Sequence, residues 1–151
     1  MIGLLQRITK AHVEIKGEIV AAVGAGLLVL VGVQRGDTEL HADRLLERLL
    51  NFRVFPDEQG KMNRDLRDMG GSMLLVPQFT LAADTRNGTR PSFKPAAPLE
   101  ESRSLFNYLL EQARAAHDAV DAGQFATNML VSLTNDGPAT FWIEIPNDSA
   151  G

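Results

Sequence analysis

Residues 24–33 read Gly-Ala-Gly-Leu-Leu-Val-Leu-Val-Gly-Val, "GAGLLVLVGV". The glycines at 24 and 26 break the chain, and residues 27–33 then carry no polar side chain at all. A strand with one wet face alternates apolar and polar residues. An unbroken apolar run of this length predicts a central strand covered on both faces. The run is about half the ~20 residues that a membrane-spanning helix needs, so a sheet buried in a soluble domain is the reading to build on.

Working outward, "IGLLQRITKAHVEI" (2–15) alternates, with Val13 and Ile15 opposite His12 and Glu14, and predicts a strand. "KGE" (16–18) is a tight turn, and "IVAAV" (19–23) returns as its hairpin partner. Beyond the buried run, "RGD" (35–37) turns the chain, and Asp37 or Thr38 caps a helix with Leu45, Leu46, Leu49 and Leu50 at helical spacing. "RVFPDEQGKMN" (53–63) reads as a short strand and turn. "SMLLVPQFTLA" (72–82) reads as a second buried strand, entered through Gly70-Gly71. A Gly/Pro-rich loop from Asp84 to Pro98 leads to a second helix over 99–117, with Leu105, Tyr108, Leu109 and Gln112 to one side. "MLVSLTN" (129–135) and "ATFWIEI" (139–145) are two strands joined at Asp136-Gly137-Pro138, and the tail 146–151 is expected to fray. The sum is an α+β domain over 1–145: a curved, barrel-like, mainly antiparallel sheet with two main helices packed on it. The helix after the third strand allows some parallel pairing.

With 151 residues, 44% hydrophobic and 23% charged, the chain can bury a real core and is not composed like a disordered one. It has no cysteine, which removes disulfides, thiolate metal sites and a thiol nucleophile. The net charge of −4 leaves no global basic field for gripping long nucleic acid. Any such contact must be local, and "RNGTRPSFK" (86–94) offers Arg86, Arg90 and Lys94 with no acid among them. That stretch reads either as a solvated loop or as a set of phosphate contacts. The opening "MIGLLQRITK" lacks a basic region followed by a long apolar one, so no signal peptide and no membrane association are expected. The expected address is the cytosol.

The usual catalytic sets are missing. His12, His41 and His117 do not stand beside a Ser or Thr in a known pattern, and His41 and Asp43, two apart on a helix, diverge. No metal site and no cofactor are expected; neither a phosphate-binding loop nor a dinucleotide fingerprint is present. Two stretches remain. In "PQFTL" (77–81), Gln78 and Thr80 alternate with Phe79 and Leu81, which aims two polar groups at one face of a strand end or simply marks the strand emerging into water. In "TNDGPATF" (134–141), Asp-Gly signals a hairpin. Yet Pro138 directly after Gly137 removes a ladder donor, so the stretch is either a turn or a site built from backbone.

Taken together, "LLQRIT" with Arg7, "GAGLLVLVGV", "QGKMN", "QFTLAADTRNGTRPSF" and "NDGPATF" resemble the bacterial D-aminoacyl-tRNA deacylases, from Met1 to about Ile145. The resemblance implies a hydrolase that edits D-aminoacyl-tRNA and mischarged glycyl-tRNA, sparing L-amino acids. It implies a homodimer with active sites at the interface and the 3′-terminal adenosine of aminoacyl-tRNA as ligand. By the same resemblance Gln78, Phe79 and Thr80 form the catalytic strand motif, and Gly137 and Pro138, joined by a cis bond, form the chirality filter reaching into the partner's site. Arg7 supports that loop, and catalysis rests largely on the ribose 2′-hydroxyl of the RNA. Arg86, Arg90 and Lys94 are assigned to tRNA. The chain departs from the family pattern at Pro77, where serine is usual, and at Ala139, where valine is usual. Three other readings stay open on residues alone: a covalent Thr80 nucleophile, a non-catalytic RNA-end binding module and a purely structural dimer.

Overall fold

The computed structural model describes residues 1–147. The apolar run becomes β3 (Gly26–Gly32), flanked by two strands of opposite sense. On one side β1 (Ile2–Ile15) pairs with it antiparallel; on the other β6 (Ser72–Pro77) pairs with it in parallel. Gly26 opens β3 with φ at +156°, and a Cβ there would lie 1.8 Å from the Ser72 carbonyl oxygen, so the close approach of the two backbones requires glycine. Lys16 and Gly17, both at positive φ, turn β1 into β2 (Glu18–Val23). The parallel side continues to β7 (Val120–Ala122), and β8 (Leu130–Glu144) lies antiparallel on the far edge of β1. A separate small hairpin joins β4 (Phe55–Pro56) and β5 (Met62–Arg64).

β1 changes partner along its length: Ile2 to Ile8 face β3, and Ala11 to Ile15 face β2. That change curls the sheet. The Ala22 N–H reaches the Asp121 carboxylate at 3.3 Å, bringing β2 against β7 and nearly closing the barrel. The curl explains why β3 is apolar on both faces. Leu27, Val29 and Val31 point to the helix layer with Leu45, Leu49, Phe106 and Leu109, while Leu28 points into the barrel with Ile8, Val13, Leu74 and Val76. Each such buried side chain contributes about 1.5–3 kcal/mol.

The helix layer is α1 (Glu39–Asn51) and α3 (Leu99–Ala116), with a single turn, α2 (Leu66–Met69), between them. Thr38 is the N-cap of α1 and donates its backbone N–H to His41 Nδ1 at 2.9 Å; Leu45, Leu46, Leu49 and Leu50 are buried as the spacing predicts, and Ala42 with them. The inner face of α3 is turned by one position from the expected one. Ser102, Phe106, Leu109 and Ala113 are buried, and Leu105 and Gln112 only half so. Tyr108 explains the turn, because its hydroxyl crosses to α1 and donates to Asp43 Oδ1 at 2.8 Å.

Two further expectations change. The strand through Pro77 stops there: Gln78 gives its N–H to Val31 O at 2.8 Å, and Phe79–Ala82 winds into a 3-10 turn. Proline, with no N–H, closes the ladder. The Asp-Gly-Pro stretch is not a hairpin, because both apolar runs belong to one strand, β8, and both pair with β1 in the same sense. Asn147 Nδ2 donates to Arg35 O at 3.1 Å and to Asp37 Oδ1 at 2.8 Å, next to the Met1 ammonium, which sits 2.9 Å from the same carboxylate oxygen. Residues 148–151 of the expected tail lie outside the described residues. No helix among the described residues is long and apolar enough to cross a membrane.

Candidate active site

A cavity of about 650 Å³ opens where the chain leaves β6. Pro77, Gln78 and Phe79 form one wall, the approach to α3 (Ala97, Leu99, Ser102) another, and the loop before β8 (Phe125 to Met129, with Val131) the third. Pro77, where the resemblance implies serine, is buried in that wall. The 3-10 turn matters to the chemistry. The first N–H groups of a helical turn have no carbonyl behind them to bond, and those of Phe79 and Thr80 have no protein acceptor among the described residues. Phe79 lines the cavity, and Thr80 follows it on the turn. Gln78 Nε2 donates to Thr80 Oγ1 at 2.6 Å, so the Thr80 hydroxyl is neighboured by an amide rather than a base. Among the described residues no histidine lines the cavity. His41 caps α1, His117 Nε2 meets Gly71 O at 2.7 Å, and His12 stands on β1 opposite Ser132.

The Gly-Pro stretch is a bulge in β8. Ile8 faces Asn135 and Gln6 faces Thr140, so Asp136, Gly137, Pro138 and Ala139 stand opposite Arg7 alone. Arg7, 8% exposed, holds the bulge from below. Its Nε donates to Asp136 O at 2.9 Å, it lies 3.3 Å from the Asp136 carboxylate, and its Nη1 donates to Val54 O. Asn135 closes the neck: Nδ2 donates to Arg7 O at 2.9 Å and to Ala139 O at 3.2 Å. The Gly137–Pro138 peptide bond is cis, and both residues are exposed.

Within one chain the two motifs do not meet. Val131 lines the cavity, but Gly137 and Pro138 do not. They lie beyond Asn135, which is ~13 Å further along the strand at about 3.3 Å per residue. Arg86 is not the free cation its stretch suggested. Its guanidinium and backbone N–H grip Asp84, two residues upstream, at 2.9–3.0 Å, and that grip holds the Asp84 carboxyl down at about 2. Arg90 and Lys94 have exposed side chains with no ion pair among the described residues. Residue patterns alone missed Asn135, which stood inside the quoted stretch, and the loop Phe125–Met129, which has no motif to mark it. Ala126 there has φ at +55°, unusual for a residue with a Cβ. Arg103 was missed too; its guanidinium carbon stands 5.3 Å over the Phe125 ring.

The family described as D-Tyr-tRNA(Tyr) deacylase matches residues 4–144. A D-aminoacyl-tRNA deacylase from Alkalilimnicola ehrlichii is 60% identical over 144 residues, covering 95% of this chain and 96% of that protein. Another, from Stutzerimonas stutzeri, is 59% identical over 144 residues, covering 95% and 99%. Among solved structures, the c-Myc DNA Unwinding Element Binding Protein superposes with a TM-score of 0.93 at 36% identity, covering 97% of this chain and 100% of that one. Likeness of this extent, over a range that includes the cavity wall and the β8 bulge, establishes that the chain belongs to the D-Tyr-tRNA(Tyr) deacylase family.

Proposed function

We propose that the chain is an editing hydrolase that adds water across the ester between a D-amino acid, or glycine, and the terminal adenosine of tRNA, freeing both. The observation that carries this reading is the pair of unpartnered N–H groups on the 3-10 turn, that of Phe79, which lines the cavity, and that of Thr80 next to it. An aminoacyl ester is already activated, so its hydrolysis asks mainly for positioning and for donors aimed at the developing oxyanion. One such donor is worth about 2.7–4 kcal/mol. The apolar wall of Phe125 and Met129 suits a planar base. With an adenosine seated there, its ribose 2′-hydroxyl stands next to the scissile ester and assists water. Thr80, with only the Gln78 amide against its hydroxyl, is not the nucleophile.

Selection against L-amino acids falls to Gly137 and Pro138 of a second copy. Among the described residues β8 pairs with β1 alone, leaving a 15-residue strand with an open edge that exposes Leu130 and Trp142. An edge of that length invites pairing, and a homodimer formed along it presents the bulge of one copy to the cavity of the other. Backbone carbonyls fixed there accept the substrate's amino group and leave no room for an L side chain, while a D side chain points away and glycine passes. A cytosolic address goes with this reading. The test is deacylation of D-tyrosyl-tRNA and L-tyrosyl-tRNA side by side. Hydrolysis of the D ester with the L ester spared is expected; no hydrolysis of either, or equal rates, overturns the proposal.

A further inference from the structure

The cavity takes one nucleoside, but the substrate of the proposed reaction is the end of a strand. Phe79 lines the cavity, yet the residue is 54% exposed. Its ring packs against Phe93, which is 43% exposed and does not line the cavity, with centroids 5.3 Å apart and planes tilted by 52°. Two touching aromatics in water, one at the rim and one beyond it, are not explained by the core.

Their setting is built. Phe93 sits in the loop 84–98, which is tied down at both ends. Asp84 and Ser92 exchange backbone hydrogen bonds at 2.7 and 2.9 Å, and Ala97 donates to Val33 O at 3.0 Å. Arg35 Nε donates to Lys94 O at the base of the loop. The loop's acid, Asp84, is consumed by Arg86, so the free charge beside Phe93 is that of Arg90 and Lys94. Glu100 and Glu101 begin α3 on the other side of Leu99, and Glu100 faces Arg103 at 3.7 Å.

Resting on the function proposed above, we infer that the Phe79–Phe93 pair is a stacking platform for the unpaired nucleotide that precedes the terminal adenosine, with Arg90 and Lys94 on the phosphates flanking it. Aromatic faces that touch and lead out of a nucleoside-sized cavity, next to unpaired cations, are what a single-stranded end requires. Every base has a face to stack, so the platform reads strandedness rather than sequence.

The test compares two substrates, D-tyrosyl-tRNA and the minimal ester D-tyrosyl-adenosine, which has no preceding nucleotide. Phe93→Ala is expected to lower kcat/KM on the tRNA about five- to hundredfold, the range that loss of one base–aromatic stack gives. The ratio of the two substrates' kcat/KM should fall by the same factor, and Phe93→Trp should restore it. Equal losses on both substrates would mean that Phe93 acts through the cavity. Parental values on both would mean that the exposed rings serve another contact, such as the second copy of the chain. Either result overturns the platform while leaving the deacylase intact. Failure of the parent enzyme on both esters would instead strike the proposed function itself.

Discussion

Gly137→Ala tests how the β8 bulge is held. The backbone of Gly137 is not at positive φ, so the cost of a methyl group there is one of space. An added Cβ would lie 2.8 Å from Asn135 Oδ1, closer than real Cβ atoms come, and otherwise meets only ordinary contacts at 3.7 and 3.8 Å. Asn135 must therefore move, and it is not free to: its amide nitrogen bonds both Arg7 O and Ala139 O. Each bond contributes about 0.5–1.5 kcal/mol, so displacing the side chain costs ~1–3 kcal/mol. Asn135→Ala alone removes the same two bonds and should cost a similar amount. In the double variant the methyl group meets no obstacle. The prediction is thus strong non-additivity, with the pair costing about as much as either single change and a coupling energy of ~1–3 kcal/mol. Urea unfolding at equal m-values measures it. Additive costs would show that Asn135 is not what Gly137 leans on, and the account of the neck would fall. Both single variants should also lose D-tyrosyl-tRNA turnover, because the bulge carbonyls lose their seat.

Other expectations follow from the same contacts. Arg7→Lys keeps the charge but not the fork that serves Asp136 O and Val54 O together; a stability loss of about 1–3 kcal/mol, with turnover lowered, is expected by denaturant titration and deacylation assay. Thr80→Ala should keep most of the activity, whereas Thr80→Pro, which deletes an unpartnered N–H of the 3-10 turn, should fall about a hundredfold or more; the reverse order in single-turnover rates would restore a side-chain nucleophile. Asp37→Ala leaves the fully buried Met1 ammonium without its counter-charge and should cost about 3–5 kcal/mol, read as a drop in urea midpoint. Tyr108 is the sole tyrosine. Its hydrogen bond to Asp43, then burial, then the charges of Asp43, Glu39 and Glu111 push it up to about 12. Because the folded value is raised above the ordinary 10.0, its contribution to stability is complete below pH 10 and lost as pH rises through 12. Phenolate absorbance should titrate near 12, and Asp43→Asn should bring it back toward 10; an unmoved midpoint in that variant would refute the contact.

The sheet was legible where pattern and environment agree. Leu27–Val31 reads as buried on both faces because alternate residues face two separate cores, the helix layer and the barrel interior. Local pattern failed where the deciding partner is remote. Alternation in "PQFTLA" runs on past Pro77, but the ladder to β3, 46 positions upstream, ends at the Val31–Pro77 pair and the chain winds into a 3-10 turn. The Asp-Gly pair mimics a hairpin because nothing local reveals that both flanking runs lie along β1, more than a hundred residues away. Arg86 looked free because its partner stood two residues outside the quoted window. The site's residue types were visible in "QFT", "NDGP" and Arg7, whereas its third wall, Phe125 to Met129, is a loop whose role comes only from where β7 and β8 leave it.

The bulge also constrains how the length of this chain can change. Asp136 to Ala139, four residues, stand opposite Arg7 alone, so the bulge carries an excess of three, an odd number. The odd excess turns the strand over: before the bulge odd-numbered Val131 packs into the barrel interior, and after it odd-numbered Phe141 and Ile143 pack against the helix layer. Loss or gain of a single codon between 136 and 138 would turn one half of the strand over, bringing Trp142 inward and Ile143 into water. Paired insertions or deletions would leave both halves facing as they do. Among natural variants and designed libraries alike, this stretch should tolerate length changes in steps of two and reject steps of one.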